Sequence, residues 1–271
     1  MRRVTAADNP HFKSLKRLAR SVRERRSSGH CLLDGMHLIT AYRRHYGPPA
    51  EIIVSDSGLA RAEIAAYLAS ELGQAAITRL SDGLFDDLAL VDSPSGIMAV
   101  VAQPAARQAP EGEAETVVLD GVQDPGNVGS ILRSAAAAGV RQIVVSRDCA
   151  SVWSPKVLRA AMGAHFQLDL YERDDLAAFL TAYRGQVLAT CVDAPNSLYE
   201  TKFVPPIAWV FGSEGQGVRP RIARVCGLHL RIPMAAGSES VNVAAAAAVC
   251  LFERARRGLA GELPEPACRS L

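Results

Sequence analysis

TVVLDGVQDPGNVGSILR, residues 116 to 133, passes from an aliphatic, β-branched run into a loop and then into a helical pattern that presents Arg133. Gly126 and Gly129 allow close backbone approach on the way. The same plan recurs downstream: RQIVVS is followed by a helix from Ser154, and QVLATCV, IAWVFG and HLRIP precede a final alanine-rich helix. Such βα alternation predicts a parallel sheet covered on both faces. Ligands of open parallel sheets sit beyond the carboxyl ends of the strands. Three loops are expected there: DPGN, the GSEGQG turn with Gly212, Gly215 and Gly217 in six residues, and PMAAGSESVN, which places Ser240 and Asn242 at the mouth of the last helix.

Upstream, the apolar runs CLLD, EIIVS, QAAIT and GIMAVVA alternate with helical patterns such as GMHLITAYRRHY and GLARAEIAAYLASEL, which reads as a separate α/β module over residues 1–102. In residues 103–115, QPAARQAPEGEAE, Pro, Ala, Gln and glutamates replace the apolar periodicity, the composition of a linker. The second domain then runs from 116 to 271, with a loose tail expected after Gly258. A chain of 271 residues, 49% hydrophobic, suits two such domains, each with its own core.

The net charge of +2 conceals an asymmetry: residues 1–26 hold nine Lys and Arg against Asp8 and Glu24, an excess of seven, so the remainder carries −5. NPHFKSLKRLARSVRERR reads as one helix, capped by Asn9, started by Pro10, with Phe12, Leu15, Leu18 and Val22 on its apolar face. Its other faces are basic, which favours phosphate contact and an RNA or DNA partner; Lys13, Lys16, Arg17, Arg20 and Arg23 are the candidate contacts. No apolar run approaches the roughly 20 residues of a membrane helix. Six cysteines, at 31, 149, 191, 226, 250 and 268, include no C-x-x-C pair and no metal-ligand spacing, so zinc is not expected and a reducing cytoplasm is.

The dinucleotide fingerprint and the P-loop are both absent, so the glycine loops call for another ligand. Each also has a plain reading: Glu214 capping the amides of Gln216 or Gly217, Ser240 capping the last helix with Asn242 inside its first turn, and Arg133 as a solvated helix residue. Their joint occurrence favours a site.

Together, Asn127 to Arg133 (NVGSILR), VFGSEGQG through Gly217, and IPM with Ser240-Val-Asn242-Val resemble the three motifs of the SpoU/TrmH family of SPOUT methyltransferases. LDGMHLI and SGIMAV are similar to the ribosomal-L30e-like substrate-binding domain that precedes many members, and SPKVLRAAMGA to the segment after the first motif. The closest general likeness is to the ribosomal RNA ribose methyltransferases. The resemblance implies an α/β fold with an N-terminal L30e-like domain and a trefoil-knotted parallel sheet, S-adenosylmethionine as methyl donor, RNA 2′-O-methylation, and a homodimer with the site at the subunit interface. Carried over by position, Gly212, Gly217, Ile232, Met234 and Val241 are expected to hold the donor. Arg133 is the expected activating residue, surrounded by Asn127, Glu214, Ser240 and Asn242; Lys156 and Arg159 are possible RNA contacts. Val241 and Ala244 depart from the usual S-L-N-V-S of the third motif: the first stays apolar, and the second removes a hydroxyl.

A ribose hydroxyl is almost fully protonated near neutral pH, so its methylation needs orientation and a route for the proton. A free guanidinium is a poor base, which leaves Arg133 either perturbed by a close phosphate or acting as a phosphate clamp. Ribosomal RNA is the favoured substrate, with transfer RNA, a ring-nitrogen methyltransferase and a non-catalytic RNA-binding protein as alternatives.

Overall fold

The computed structural model describes residues 1–70, 75–89, 94–104 and 109–263, which form two compact units: 1–105 with 151–166, and 106–150 with 167–271. The first unit is built on β1 (Arg2–Val4), α1 (Pro10–Arg20), α2 (Val22–Ser28), β2 (His30–Asp34), α3 (Met36–Tyr46), β3 (Glu51–Ser55), α4 (Asp56–Leu59), α5 (Ala62–Ser70), β4 (Ala76–Leu80), α6 (Asp82–Leu88) and β5 (Ile97–Ala102). Its five strands lie in the order β1-β4-β3-β5-β2, with β2 and β3 antiparallel to β5. The four expected apolar runs are four of these strands; β1, which the sequence reading did not include, adds a parallel edge to β4.

The long basic helix is two helices. Asn9 and Pro10 start the first as expected, but Ser21 is extended (φ −104°, ψ 118°), ending α1 and capping α2 through Glu24 N. Arg25 holds this break: it is buried, and its guanidinium donates to the carbonyls of Leu18 and Ala19, both at 2.9 Å, which α1 leaves unpaired at its end. Phe12, Leu15 and Leu18 enter the core with Ile53, Leu80, Phe85 and Met98, whereas Val22, expected on that face, is exposed. The pattern read as a helix over 58–72 is split into α4 and α5, and residues 71–72 lie outside the described residues.

The second unit contains β6 (Thr116–Asp120), α7 (Pro125–Ala137), β7 (Gln142–Ser146), β8 (Asp169–Arg173), α9 (Leu176–Ala182), β9 (Gln186–Thr190), β10 (Asn196–Ser197), β11 (Ile207–Gly212), α10 (Pro220–Ala223), β12 (Leu228–Arg231) and α11 (Val243–Leu259). Its seven strands are all parallel, in the order β10-β12-β9-β11-β6-β7-β8. Every residue of β6, β7 and β11 is buried, as a doubly covered sheet requires. One face packs Val118, Val144 and Val210 against Leu176, Leu180 and Ile222, and α11 returns to lie on α7 and β11. Each such large apolar side chain contributes about 1.5–3 kcal/mol. β8, β10, α9 and α10 were not read from the sequence.

The SPKVLRAAMGA stretch belongs to the first unit. Pro155–Ala161 is helix α8, which lies against β2, Leu158 and Phe166 join the core of Leu33, Ile39 and Tyr42, and Gly163 approaches Ala41 so closely that an added Cβ would sit 3.3 Å from its methyl carbon. Of the expected linker, residues 105–108 lie outside the described residues, and Glu111 and Gly112 are held by Gln142 and Arg184. Of the expected loose tail, α11 continues to Leu259, and residues 264–271 lie outside the described residues. No described helix is long and apolar enough to cross a membrane.

Candidate active site at the strand ends

Asp124 follows β6 and caps α7, its Oδ1 accepting from Asn127 N at 2.8 Å, with Pro125 at the first helical position. Asn127 is thereby fixed in the first turn, at the carboxyl end of the sheet. β11 ends at Gly212, and the chain folds straight back: Ser213 N donates to Gly217 O at 3.0 Å and Gly217 N to Ser213 O at 2.9 Å. Gly217 takes φ 65°, and a Cβ on Gly212 would lie 1.9 Å from the Gly217 carbonyl carbon, so the turn closes only over a glycine. Glu214 stands at its tip. It does not cap Gln216, which donates instead to Ser213 Oγ.

The third loop ends in Asn242, and the helix cap is this residue, not Ser240: its Oδ1 accepts from Ala244 N at 2.8 Å and Ala245 N at 3.3 Å. The Ala244 amide thus contributes although the hydroxyl usual at that position is missing. The three loops meet through their side chains. Asn242 Nδ2 donates to Asn127 Oδ1 at 2.9 Å, and Asn127 Nδ2 donates to Glu214 Oε1 at 2.8 Å, which also accepts from Asp124 N at 3.4 Å. The hydrogen bonds run in one direction, from the amino end of α11 to a carboxylate, so each polarises the next. Burial works against the charge on Glu214, but these donors outweigh it and hold the carboxyl below the ordinary glutamate range.

Arg133 projects from the exposed side of α7, six residues and about 9 Å along the axis from Asn127, and has no ion pair or hydrogen bond among the described residues. Ser240 and Val241 are exposed, and Ile232 and Met234 are half-buried with backbone amides that find no partner among the described residues. Of the five residues expected around the chemistry, three are locked to one another and two, Arg133 and Ser240, are uncommitted. Beneath the loops, buried Asp120 binds Arg219, a pair not anticipated from the sequence. The Asp-Pro of Asp124-Pro125 is a legible helix start; Arg219 gave no such signal, because its partner lies 99 residues away.

The expected RNA contacts divide. Lys16 and Arg20 bind Asp87 at 2.6 and 3.1 Å, Arg17 lies 3.9 Å from Glu24, and Arg159 binds Asp34 at 2.8 Å. Lys13, Arg23 and Lys156 are exposed and unpaired among the described residues. No group of three or more potential metal ligands occurs among the described residues.

Fold and site together define a methyltransferase of the SPOUT type. Residues 115–252 match the SpoU rRNA methylase family, and residues 9–99 match the MRM3-like substrate binding domain. The chain belongs to the SpoU rRNA methylase family. It is 31% identical to a Synechocystis protein named only as an uncharacterised tRNA/rRNA methyltransferase, over 96% of both chains. It is 28% identical to the 23S rRNA (guanosine(2553)-2′-O)-methyltransferase RlmP of Bacillus subtilis, over 93% of this chain and 98% of that one. Among solved structures, an AdoMet-bound rRNA methyltransferase from Sinorhizobium meliloti superposes with a TM-score of 0.77 at 26% identity, covering 95% of this chain and 98% of that chain.

Proposed function

We propose that this protein is an S-adenosylmethionine-dependent ribose 2′-O-methyltransferase that acts on ribosomal RNA in the cytoplasm. The observation that carries the reading is the chain of hydrogen bonds from Asn242 through Asn127 to Glu214, which ties the three strand-end loops together, with the uncommitted Arg133 on the same helix as Asn127. The relatives' names, which specify 23S rRNA and guanosine 2′-O-methylation, support the substrate.

The loops fit the donor. Ile232 and Met234 offer apolar contact beside free amides, and an added Cβ at Gly215, Gly217 or Gly237 would meet nothing within 4 Å, so the loops are open at these glycines. Gly212, Gly217, Ile232, Met234 and Val241 would hold it. When bound, S-adenosylmethionine supplies an electrophilic methyl group for the ribose hydroxyl. Arg133 grips a substrate phosphate with its planar fork and so sets the hydroxyl, whose proton passes to water. Glu214, Asn127 and Asn242 keep the three loops in register, and Ser240 is free to contact the substrate.

The same reading places the C-terminal chain in a trefoil knot and pairs two copies through α11, where Val249 and Phe252 are exposed, with Val241 just ahead of the helix. Phe252→Asp is expected to give monomers by sedimentation. The central experiment is transfer of labelled methyl groups to rRNA, followed by nuclease digestion and chromatography. A 2′-O-methylated nucleoside is expected, and Arg133→Ala should abolish it while donor binding persists. A methyl group on a base would overturn the reaction assigned here, and methylation confined to tRNA would overturn the substrate.

A further inference from the structure

Three strand ends of the second unit are fastened under the site by one arginine. Asp120, the last residue of β6, has no exposed surface, and a carboxylate in that position needs close partners. Arg219 supplies them from both backbone and side chain: its N–H donates to Oδ2 at 2.8 Å, its Nε to Oδ1 at 2.7 Å, and its Nη2 also meets Oδ1. The remaining arm of the guanidinium reaches Asp148, in the loop after β7, at 3.1 Å. The hydrogen bond that the Arg219 guanidinium donates to the Asp120 carboxylate dominates its surroundings and raises its pKa further.

The placement gives this clamp a role beyond stability. Arg219 follows directly on Gly217 and Val218, so it ends the turn that carries Glu214, while Asp120 stands four residues ahead of Asp124, which caps the helix of Asn127. The distance between these anchors fixes how Glu214 meets Asn127. Gly121, next in the chain, takes φ 74° and donates to Ser146 Oγ at 2.9 Å, so the β6 end is also tied to the end of β7.

We propose that Arg219 is a positioning residue for the donor site, acting through Asp120 and the Glu214 turn and touching neither donor nor RNA. The proposal rests on the donor-binding reading above. Lys at 219 keeps the charge that Asp120 requires but cannot reproduce the fork, so it separates position from folding. Arg219→Lys is expected to keep a thermal midpoint close to that of the wild type, while S-adenosylmethionine binding by calorimetry weakens and the KM for the donor rises, each by about tenfold, with kcat at saturating donor changed far less. The same substitution in a Glu214→Ala background should add little, because alanine already removes the Asn127 contact that Arg219 positions. Unchanged donor affinity in Arg219→Lys, or losses that multiply independently with those of Glu214→Ala, would overturn the proposal. Should Arg219→Lys fold poorly, the neutral pair Asp120→Asn with Arg219→Gln carries the same comparison. A wild-type protein that binds no donor would sink the enzymatic reading itself, whereas a binding wild type with an indifferent Arg219→Lys sinks only the clamp.

Discussion

Asn242 performs two tasks with two different atoms, and they can be separated. Its Oδ1 caps α11, and its Nδ2 donates to Asn127. Alanine removes both and costs about 0.5–2 kcal/mol from the lost cap alone. Aspartate keeps the cap and loses the donor. Asn242→Asp should therefore melt near the wild-type temperature yet lose donor binding and turnover; full activity in that variant would make Asn242 a cap and nothing more. At this scale the sequence was half legible. Asn127, Glu214 and Asn242 are brought together as their loop positions imply, but which of Ser240 and Asn242 caps the helix is decided by a single turn of backbone that no spacing rule fixes. The ion pair of Arg159 was not legible, because nothing local to it reveals Asp34, 125 residues away.

Among the elements, the basic N-terminal segment changes most in meaning. Its apolar face is core, so removing residues 1–26 would expose Ile53, Leu80 and Phe85 along with any RNA contact it deletes. Point changes are the cleaner test. Lys13 in α1 and Arg23 in α2 have no partner among the described residues, while Lys16 and Arg20 are occupied by Asp87. Lys13→Ala with Arg23→Ala is expected to lower the salt slope of RNA binding by about 2, and Lys16→Ala with Arg20→Ala by less. Equal slopes for both pairs would show that the ion pairs open on binding and that the bound Asp87 is no guide. The 3.6-residue period predicted where the helical face lies, but not its break: Ser21 fits either the polar face of a continuous helix or a cap, and Arg25, turning back onto two carbonyls, selects the cap.

At the scale of the whole molecule, one buried imidazole gives stability a pH dependence of its own. His165 is fully enclosed, with Nε2–H donating to Val152 O at 2.7 Å, and burial pushes it from 6.5 down to about 4. The unfolded chain thus takes up a proton first. The contribution of His165 is complete above pH 6.5 and declines as pH falls towards 4, by about 3 kcal/mol over the window. Glu253 does not confuse this slope: hydrogen bonds from Arg256 and Arg257 hold it down to about 2, so its contribution is lost only below its ordinary 4.5. Thermal midpoints should fall between pH 6.5 and 4 in the wild type and much less in His165→Gln; parallel curves would show that other groups carry the effect.

That histidine lies in the stretch 151–166, whose side chains complete the core of a unit that otherwise ends at residue 105. The consequence is one of timing. As the chain leaves the ribosome, the amino-terminal half is made first, yet Leu158 and Phe166 reach it only after β6, α7 and β7 have been synthesised. The first unit therefore cannot close when residue 105 is made; it waits for Phe166, and the nascent chain must hold an open apolar surface while the intervening residues of the second unit are synthesised.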